Sequence, residues 1–460
     1  MKTKKVSLKE LNPSIALMSD ANNLFLPIQI TVDSRDVENR DAFLAISGTR
    51  HDGHDFIGQA LNRGACLIIG RRSSVEPWLQ RIAAASASAI LFENRPEDDI
   101  IELARQYLRK IAPKVIAVTG SVGKTTTRSL LARVLSSRYK VHQARKSHNT
   151  ALGCAMTILS MPRETEILIL EMGCNHPGEI AQMVELFPPH IAIITEVALA
   201  HLEGLATIEG VLRAKLEIAQ SRCLEVLSYN IDNDLLRKDL SSQSGLELIP
   251  VGFHGQARMR LVAAQLKLDQ GQPCLTVQGQ WQGEDSMTIV SSLFGRHHAY
   301  SLAFAAAIGR YLDIPYPQDA LIFSGPIPGR GAIRQLSGGG IVIDESYNAN
   351  PLSMKAALSA FAELFPSHDG WAVLGAMEEL GNQSFDLHHE LLSQAPLPAH
   401  LLLVGQGWPN SKLPPSAMRL NSLEEAAEIL RSSFKSSSSI LIKGSRIWKL
   451  EKLVEAISEL

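Results

Sequence analysis

Apolar residues along this chain come in two rhythms. Short runs without polar alternation, KVIAV (114–118), EILILEMG (166–173) and HIAIITEV (190–197), take turns with stretches of helical spacing, TTTRSLLARVLSSRY (125–139) and GEIAQMVELF (178–187). Strands apolar on both sides, separated by helices, predict a parallel sheet covered on both faces. Beyond IPGR (327–330) four more strand and helix units follow, with strands GGIVIDE, GWAVLG, AHLLLVG and SSILIKG and helices SMKAALSAFAELF, DLHHELLSQ, LEEAAEILRSSF and WKLEKLVEAI. They predict a second, Rossmann-like doubly wound unit. The first hundred residues place the helical stretch FIGQALNRG between the strand runs DAFLAIS (41–47) and ACLIIG (65–70), a small α/β unit. Charges and a proline break the apolar rhythm at ENRPEDDI (93–100), before the helical run IELARQYLRKIAP. The predicted fold is α/β with three domains, at 1–97, 98–325 and 326–460. The serine-rich SSFKSSSS (432–439) is a short polar loop, and no fixed internal period suggests a solenoid.

Composition changes this picture only by exclusion. A length of 460 residues suits about three domains, and 45 basic against 47 acidic residues leave a net charge of -2, which gives a polyanion such as nucleic acid nothing to hold. The charged N-terminal stretch has no secretory apolar core and no run reaches the length of a membrane span, so the expected location is the cytoplasm, without membrane insertion. Cys66, Cys154, Cys174, Cys223 and Cys274 are odd in number and scattered, as expected of reduced thiols rather than a zinc cluster.

Candidate chemistry concentrates in VTGSVGKTTT (118–127), between a strand and a helix. Gly120 and Gly123 let backbone N–H groups turn toward an anion, the helix N-terminus adds partial positive charge, Lys124 can reach β and γ phosphate oxygens, and the Thr125 hydroxyl can ligate Mg²⁺. Val118 stands where the full phosphate-loop pattern has its first glycine, and an ordinary glycine turn is the plainer alternative. Glu171 ends a strand at the edge where open parallel sheets bind ligands, suited to the nucleotide's metal. By residue type alone His201 is an ordinary histidine and Lys215 a surface lysine, and Asn-rich turns such as SYNANP are common as mere turns.

These stretches together resemble the Mur ligase family, in its MurF branch. The resemblance rests on DSRDVENRDAFLAISGTRHDGHDFI, TGSVGKTTT, LEMGCNHPGEI, AHLEG followed by AKLEI, PGR, DESYNANPLSM and KGSR, which span positions 33 to 446. MGCNHPGEI and SYNANP discriminate most against sister ligases. The resemblance implies an ATP-dependent amide ligase joining D-alanyl-D-alanine to UDP-MurNAc-tripeptide through an acyl phosphate, a monomer with two Mg²⁺ sites. It implies nucleotide contacts from Gly120, Ser121, Val122, Gly123, Lys124, Thr125, Thr126, His298, Arg330 and Glu345. Thr125 and Glu171 would hold one metal, and His201 a second, supported by Lys215 as a carbamate. Ser34, Arg35 and the turn Asp52, Gly53, His54 would meet the uridine diphosphate end. Asn149, Tyr347, Asn348, Asn350, Lys443 and Arg446 complete the implied substrate contacts.

The chain departs from the family pattern at His298 and Ser301, where asparagines lie near the adenine, and at Glu345 and Ala376, where aspartates are usual. In the segment after the phosphate helix it reads Asn149-Thr150-Ala151-Leu152-Gly153-Cys154-Ala155. Rival readings are another ligase of the superfamily, including the folate polyglutamate type, a non-catalytic nucleotide-binding homologue, and a small-molecule kinase.

Overall fold

The computed structural model of the chain describes residues 6–7, 11, 16–18, 25–48, 51–241, 243–314, 329–336, 340–366, 369–409, 413–434 and 438–457. Three large sheets organise them. The first has the order Ala16–Met18, Ser88–Phe92, Leu67–Arg71, Ala42–Leu44, Ile30–Thr31, parallel except for its first pair. The third runs Ala332–Gln335, Ile341–Glu345, Ser439–Lys443, Gly370–Gly375, His400–Val404, Ala417–Leu420, parallel after an antiparallel first pair. The middle sheet has nine strands, in the order Ser286–Ser291, Gln272–Trp281, Met259–Asp269, Glu247–Gly252, Val226–Asn230, Ile191–Ile194, Lys114–Thr119, Ile167–Glu171, Val141–Gln143.

From Met259–Asp269 to Val141–Gln143 the middle sheet is parallel, and a two-strand antiparallel extension continues it. Lys114–Thr119 lies between Ile167–Glu171 and Ile191–Ile194: the chain leaves it for Val141–Gln143 on one side, and the later connection from Ile167–Glu171 crosses it to Ile191–Ile194 on the other. The carboxyl end of that strand is therefore a topological switch point, where open sheets bind ligands.

Side-chain alternation explains why the strand runs lack polar positions. In the first sheet Leu44 and Ile69 enter one apolar cluster while Phe43 and Ile68 enter another. In the third, Ile343 and Leu374 join the large cluster and Val342 and Val373 a separate one. These parallel strands are covered on both faces, so neither face has polar residues to show. The large cluster runs from Leu26 through Ile116, Leu131, Ile193 and Phe304 to Leu441, packing all three units together.

The helix Pro96–Ile111 has proline in its first turn, three acids there and Arg109 and Lys110 in its last, each sign at the pole that favours it. It runs across the expected boundary at 97/98. The boundary expected at 325/326 lies outside the described residues. Among the described residues no helix is long and apolar enough to cross a membrane.

Candidate active site

The phosphate-loop sequence occupies the switch point. Gly120 has φ 143° and Gly123 φ 82°. Gly123 occupies the N-cap of the helix Lys124–Leu135 and no side chain caps that end, which leaves the first N–H groups for an anion. The loop is pinned from the next strand. The Ser121 N–H donates to the Glu196 carbonyl (2.8 Å), the Ser121 hydroxyl to the Ala198 carbonyl (2.9 Å) and the Thr195 hydroxyl to the Val122 carbonyl (2.6 Å). Lys124 Nζ donates to the Gly120 carbonyl at 2.7 Å, and Thr126 is buried behind it.

Glu171 pairs in register with Val118 on the adjacent strand, which sets its carboxylate beside the loop. Its two oxygens accept from the Thr125 hydroxyl (2.8 Å) and the Ser147 hydroxyl (2.7 Å). Arg128, one helical turn after Lys124, donates through Nη1 to the carbonyls of Ala144 (2.9 Å) and Lys146 (3.1 Å), and its Nε lies 3.8 Å from Glu171. Arg128 therefore braces the segment that carries Ser147 against the Glu171 carboxylate. Ser147 and Arg128 were not anticipated, although Arg128 sits on the same helix face as Lys124, where spacing could have revealed it. Two hydroxyls around one carboxylate make an all-oxygen donor set that fits Mg²⁺. Among the described residues no cluster of three or more histidine, cysteine, aspartate and glutamate side chains is arranged to hold a metal ion.

The site is strongly cationic. Burial holds Lys124 down to about 8, with Lys215 adding to the effect and Glu171 opposing it. Burial pushes Glu171 up, but Lys124, Arg128, the Ser147 hydrogen bond and Arg330 outweigh it, so the carboxyl sits below its ordinary value. Arg330 thus brings charge from the third sheet's unit to the phosphate loop. Buried Lys215 donates to Cys174 Sγ at 3.0 Å. His201, with φ 54°, sits in a turn after the strand Ile191–Ile194 and gives its Nδ1 to a carboxylate oxygen of Glu379. Glu379 is 178 positions away, and no local signal marked it.

In the third unit Tyr347 lies between two guanidinium groups, Arg330 at 4.1 Å and Arg446 at 5.7 Å from its ring centre. Lys443 donates to Glu345 (2.9 Å) and to the Asn348 carbonyl (3.0 Å), a buried pair on neighbouring strands. The side-chain oxygen of Asn350 caps the helix Pro351–Leu364 in a capping box with Ser353, so that oxygen is occupied within the fold. His298 opens the helix His298–Tyr311 beside His297, ring centres 4.2 Å apart, and its buried Nε2 has no hydrogen-bond partner. Burial first, then His297, Arg330 and Lys443, hold it well below the ordinary histidine value, so its ring is neutral. Ser301 accepts from the Thr127 hydroxyl at 3.0 Å, which ties this helix to the phosphate-loop helix.

The expected first-domain residues make their hydrogen bonds within that unit. Ser34 donates to Gln59 (2.7 Å), and exposed Arg35 forks onto Asp33 (2.6 Å at its shortest). Asp52 caps the turn Gly53–Phe56 and meets His54 Nδ1 at 2.6 Å, while His54 Nε2 accepts from the Arg71 N–H at 3.1 Å. That acceptor role places the ring proton on Nδ1, facing Asp52. Lys146 pairs with Asp36 at 2.6 Å, linking the Ser147 segment to this unit. Asn149 gives its backbone carbonyl to the Gly173 N–H at 2.8 Å, within the second unit.

Known proteins resemble this arrangement along most of its length. Residues 29–107 match the model described as Mur ligase family, catalytic domain, residues 118–309 the Mur ligase middle domain, and residues 329–446 the Mur ligase, glutamate ligase domain. The UDP-N-acetylmuramoyl-tripeptide–D-alanyl-D-alanine ligase of Bacillus subtilis is 32% identical over 365 residues, 78% of this chain and 76% of that protein. The protein of the same name from Escherichia coli is 30% identical over 453 residues, 94% of this chain and 93% of its own. The MurF ligase of Thermotoga maritima, solved in complex with ADP, superposes with a TM-score of 0.76 at 27% identity, covering 94% of this chain and 97% of that one. With a shared architecture, and relatives at this identity aligned over most of both chains, the protein belongs to the Mur ligase family, in its MurF branch.

Proposed function

We propose that this chain is an ATP-dependent amide ligase that joins D-alanyl-D-alanine to UDP-MurNAc-tripeptide in peptidoglycan precursor synthesis, working as a cytoplasmic monomer. The observation that carries the reading is one cationic centre, Lys124, Arg128 and Arg330 around Glu171, built from two of the three units. An acid and an amine do not condense in water, because hydroxide leaves poorly and a carboxylate repels nucleophiles. Transfer of the γ-phosphoryl group to the tripeptide carboxylate makes the oxygen expellable as phosphate. The dipeptide amine then attacks the carbonyl carbon, loses a proton, and phosphate leaves. Lys124 and Arg330 stabilise charge that moves from the γ-phosphate to the acyl phosphate and the tetrahedral oxyanion. The loop Gly120–Gly123 seats the β and γ phosphates.

Thr125 and Glu171 would hold Mg²⁺, which neutralises phosphate charge when bound. His201 would serve a second Mg²⁺, and Lys215 would support it only as a carbamate, since an ammonium there adds a fourth cation. Native mass measurement is expected to find one CO₂ bound, lost in Lys215→Ala; active enzyme with an unmodified Lys215 would refute the carbamate. Uridine diphosphate binding falls to Ser34, Arg35 and the Asp52-Gly53-His54 turn, and the dipeptide to Tyr347, Asn348, Lys443 and Arg446. His298 offers the nucleotide base one neutral imidazole nitrogen.

Phosphate release is expected to require ATP, UDP-MurNAc-tripeptide and D-alanyl-D-alanine together, with a new amide formed in equal amount. Turnover with a free diamino acid in place of the dipeptide would point to a sister ligase. Phosphate kept on an organic product would point to a kinase, and turnover indifferent to both substrates to a non-ligase.

A further inference from the structure

The segment following the strand Gly370–Gly375 meets the second unit through Glu379. Glu379 has φ 62°, a conformation that L-residues adopt at a cost and that is kept where the surroundings enforce it. Its carbonyl accepts from the Leu202 N–H (2.8 Å) and the Glu203 N–H (3.4 Å), and its carboxylate accepts from His201 Nδ1. His201, across the junction, is also left-handed, at φ 54°. On its other side the segment is held by Glu378, whose N–H donates to the Ser445 hydroxyl at 2.9 Å, between Lys443 and Arg446. One short segment therefore touches the His201 turn and the strand end bearing the candidate dipeptide residues.

We propose that Glu379 is a positioning residue that fixes His201 when the third unit is docked. A carboxylate can only accept, so the Nδ1 that faces Glu379 carries a proton and Nε2 is the nitrogen left for a ligand. A histidine whose other nitrogen donates to a carboxylate is held in one orientation, the usual arrangement behind a metal-binding imidazole. The bond forms only across the junction, so docking and the histidine's orientation are one event. Glu379 is 49% exposed and His201 24%, so as an ion pair the contact adds little stability. Its consequence lies in orientation. The inference rests on the reading that His201 serves the reaction.

Main-chain bonds to the Glu379 carbonyl survive side-chain replacement, so variants separate orientation from docking. In Glu379→Gln the amide oxygen still accepts from Nδ1; in Glu379→Ala nothing does. In ¹⁵N-histidine spectra of the metal-free protein, His201 is expected to keep the Nδ1–H tautomer in wild type and Glu379→Gln and to lose it in Glu379→Ala. Glu379→Ala should lower kcat about 10–100-fold, with KM values and Tm close to wild type, and Glu379→Gln should recover most of that loss. An unchanged tautomer or unchanged kcat in Glu379→Ala overturns the proposal, as does a Gln variant as impaired as the Ala variant. His201→Ala with full activity would instead overturn the reading of His201 itself, and the inference with it.

Discussion

Lys124→Ala is expected to lower kcat by about 10²–10³-fold and to weaken ADP binding, with the fold intact. The ammonium sits back on the Gly120 carbonyl at 2.7 Å, in reach of whatever the loop holds, and it is half-buried near other cations. Lys124 shares the Glu171 carboxylate with Arg128 and Arg330, so the centre keeps surplus positive charge that a polyphosphate can neutralise. Burial lowers its pKa to about 8, below the value of about 10.4 in an unfolded chain. Between those values the unfolded state binds the extra proton, so this residue's contribution to stability rises with pH across the window. It is least favourable below pH 8, where the charged form is buried. The alanine variant should therefore melt no lower than wild type at neutral pH and lack that slope. ADP affinity of the wild type should fall as pH rises through about 8, where the free loop loses its charge. Phosphate release, calorimetric ADP titration and melting curves test the three statements; a variant with wild-type kcat removes Lys124 from the reaction.

Lys124, Thr125 and Glu171 were legible because their placement is local. A strand, a glycine loop and a helix follow one another, and Glu171 ends the strand that pairs with Val118, so register alone brings it to the loop. The three-unit architecture was legible in the same way, through apolar runs that shared two cores. The antiparallel strands Gln272–Trp281 and Ser286–Ser291 have no unalternated apolar run to mark them. In Gln272–Trp281 burial alternates along the strand, a period-two signal that the sequence did contain. The edge strands Ala332–Gln335 and Ala417–Leu420 are four residues each, too short to carry a pattern.

Contacts made by distant segments had no such signal. Ser147 reaches Glu171 only because the Val141–Gln143 strand pairs beside Ile167–Glu171, and Glu379 meets His201 only once two units dock. The family resemblance supplied His201 and Lys215, which residue type could not. It could not supply what surrounds them: Cys174 against Lys215, and Glu379 on His201. For Asn350 the sequence pattern offered a polar side chain near the site, and the helix took its oxygen as a cap.

Gly120→Ala is expected to be the most damaging change of a single methyl group. A Cβ at Gly120 would stand 2.0 Å from Thr195 Oγ1 and 2.9 Å from the Glu196 nitrogen, at a φ of 143° that L-residues rarely adopt. Neither neighbour can give way. Thr195 Oγ1 is bonded to the carbonyls of Thr119 (3.1 Å) and Val122 (2.6 Å), and the Glu196 carbonyl holds the Ser121 N–H at 2.8 Å. The loop must lift off the strand end, taking with it the N–H groups and the carbonyl that seats Lys124. A displacement of about 1 Å at such a site costs on the order of 10²-fold in rate, and the strained backbone about 1–3 kcal/mol. Gly255→Ala, where the added methyl meets nothing within 4 Å, should change neither quantity. Adding Thr195→Ala to Gly120→Ala removes the nearest clash but not the Glu196 nitrogen or the backbone strain. Some stability should therefore return while ADP affinity stays low. If Gly120→Ala binds ADP and turns over like wild type, the phosphates do not sit on this loop.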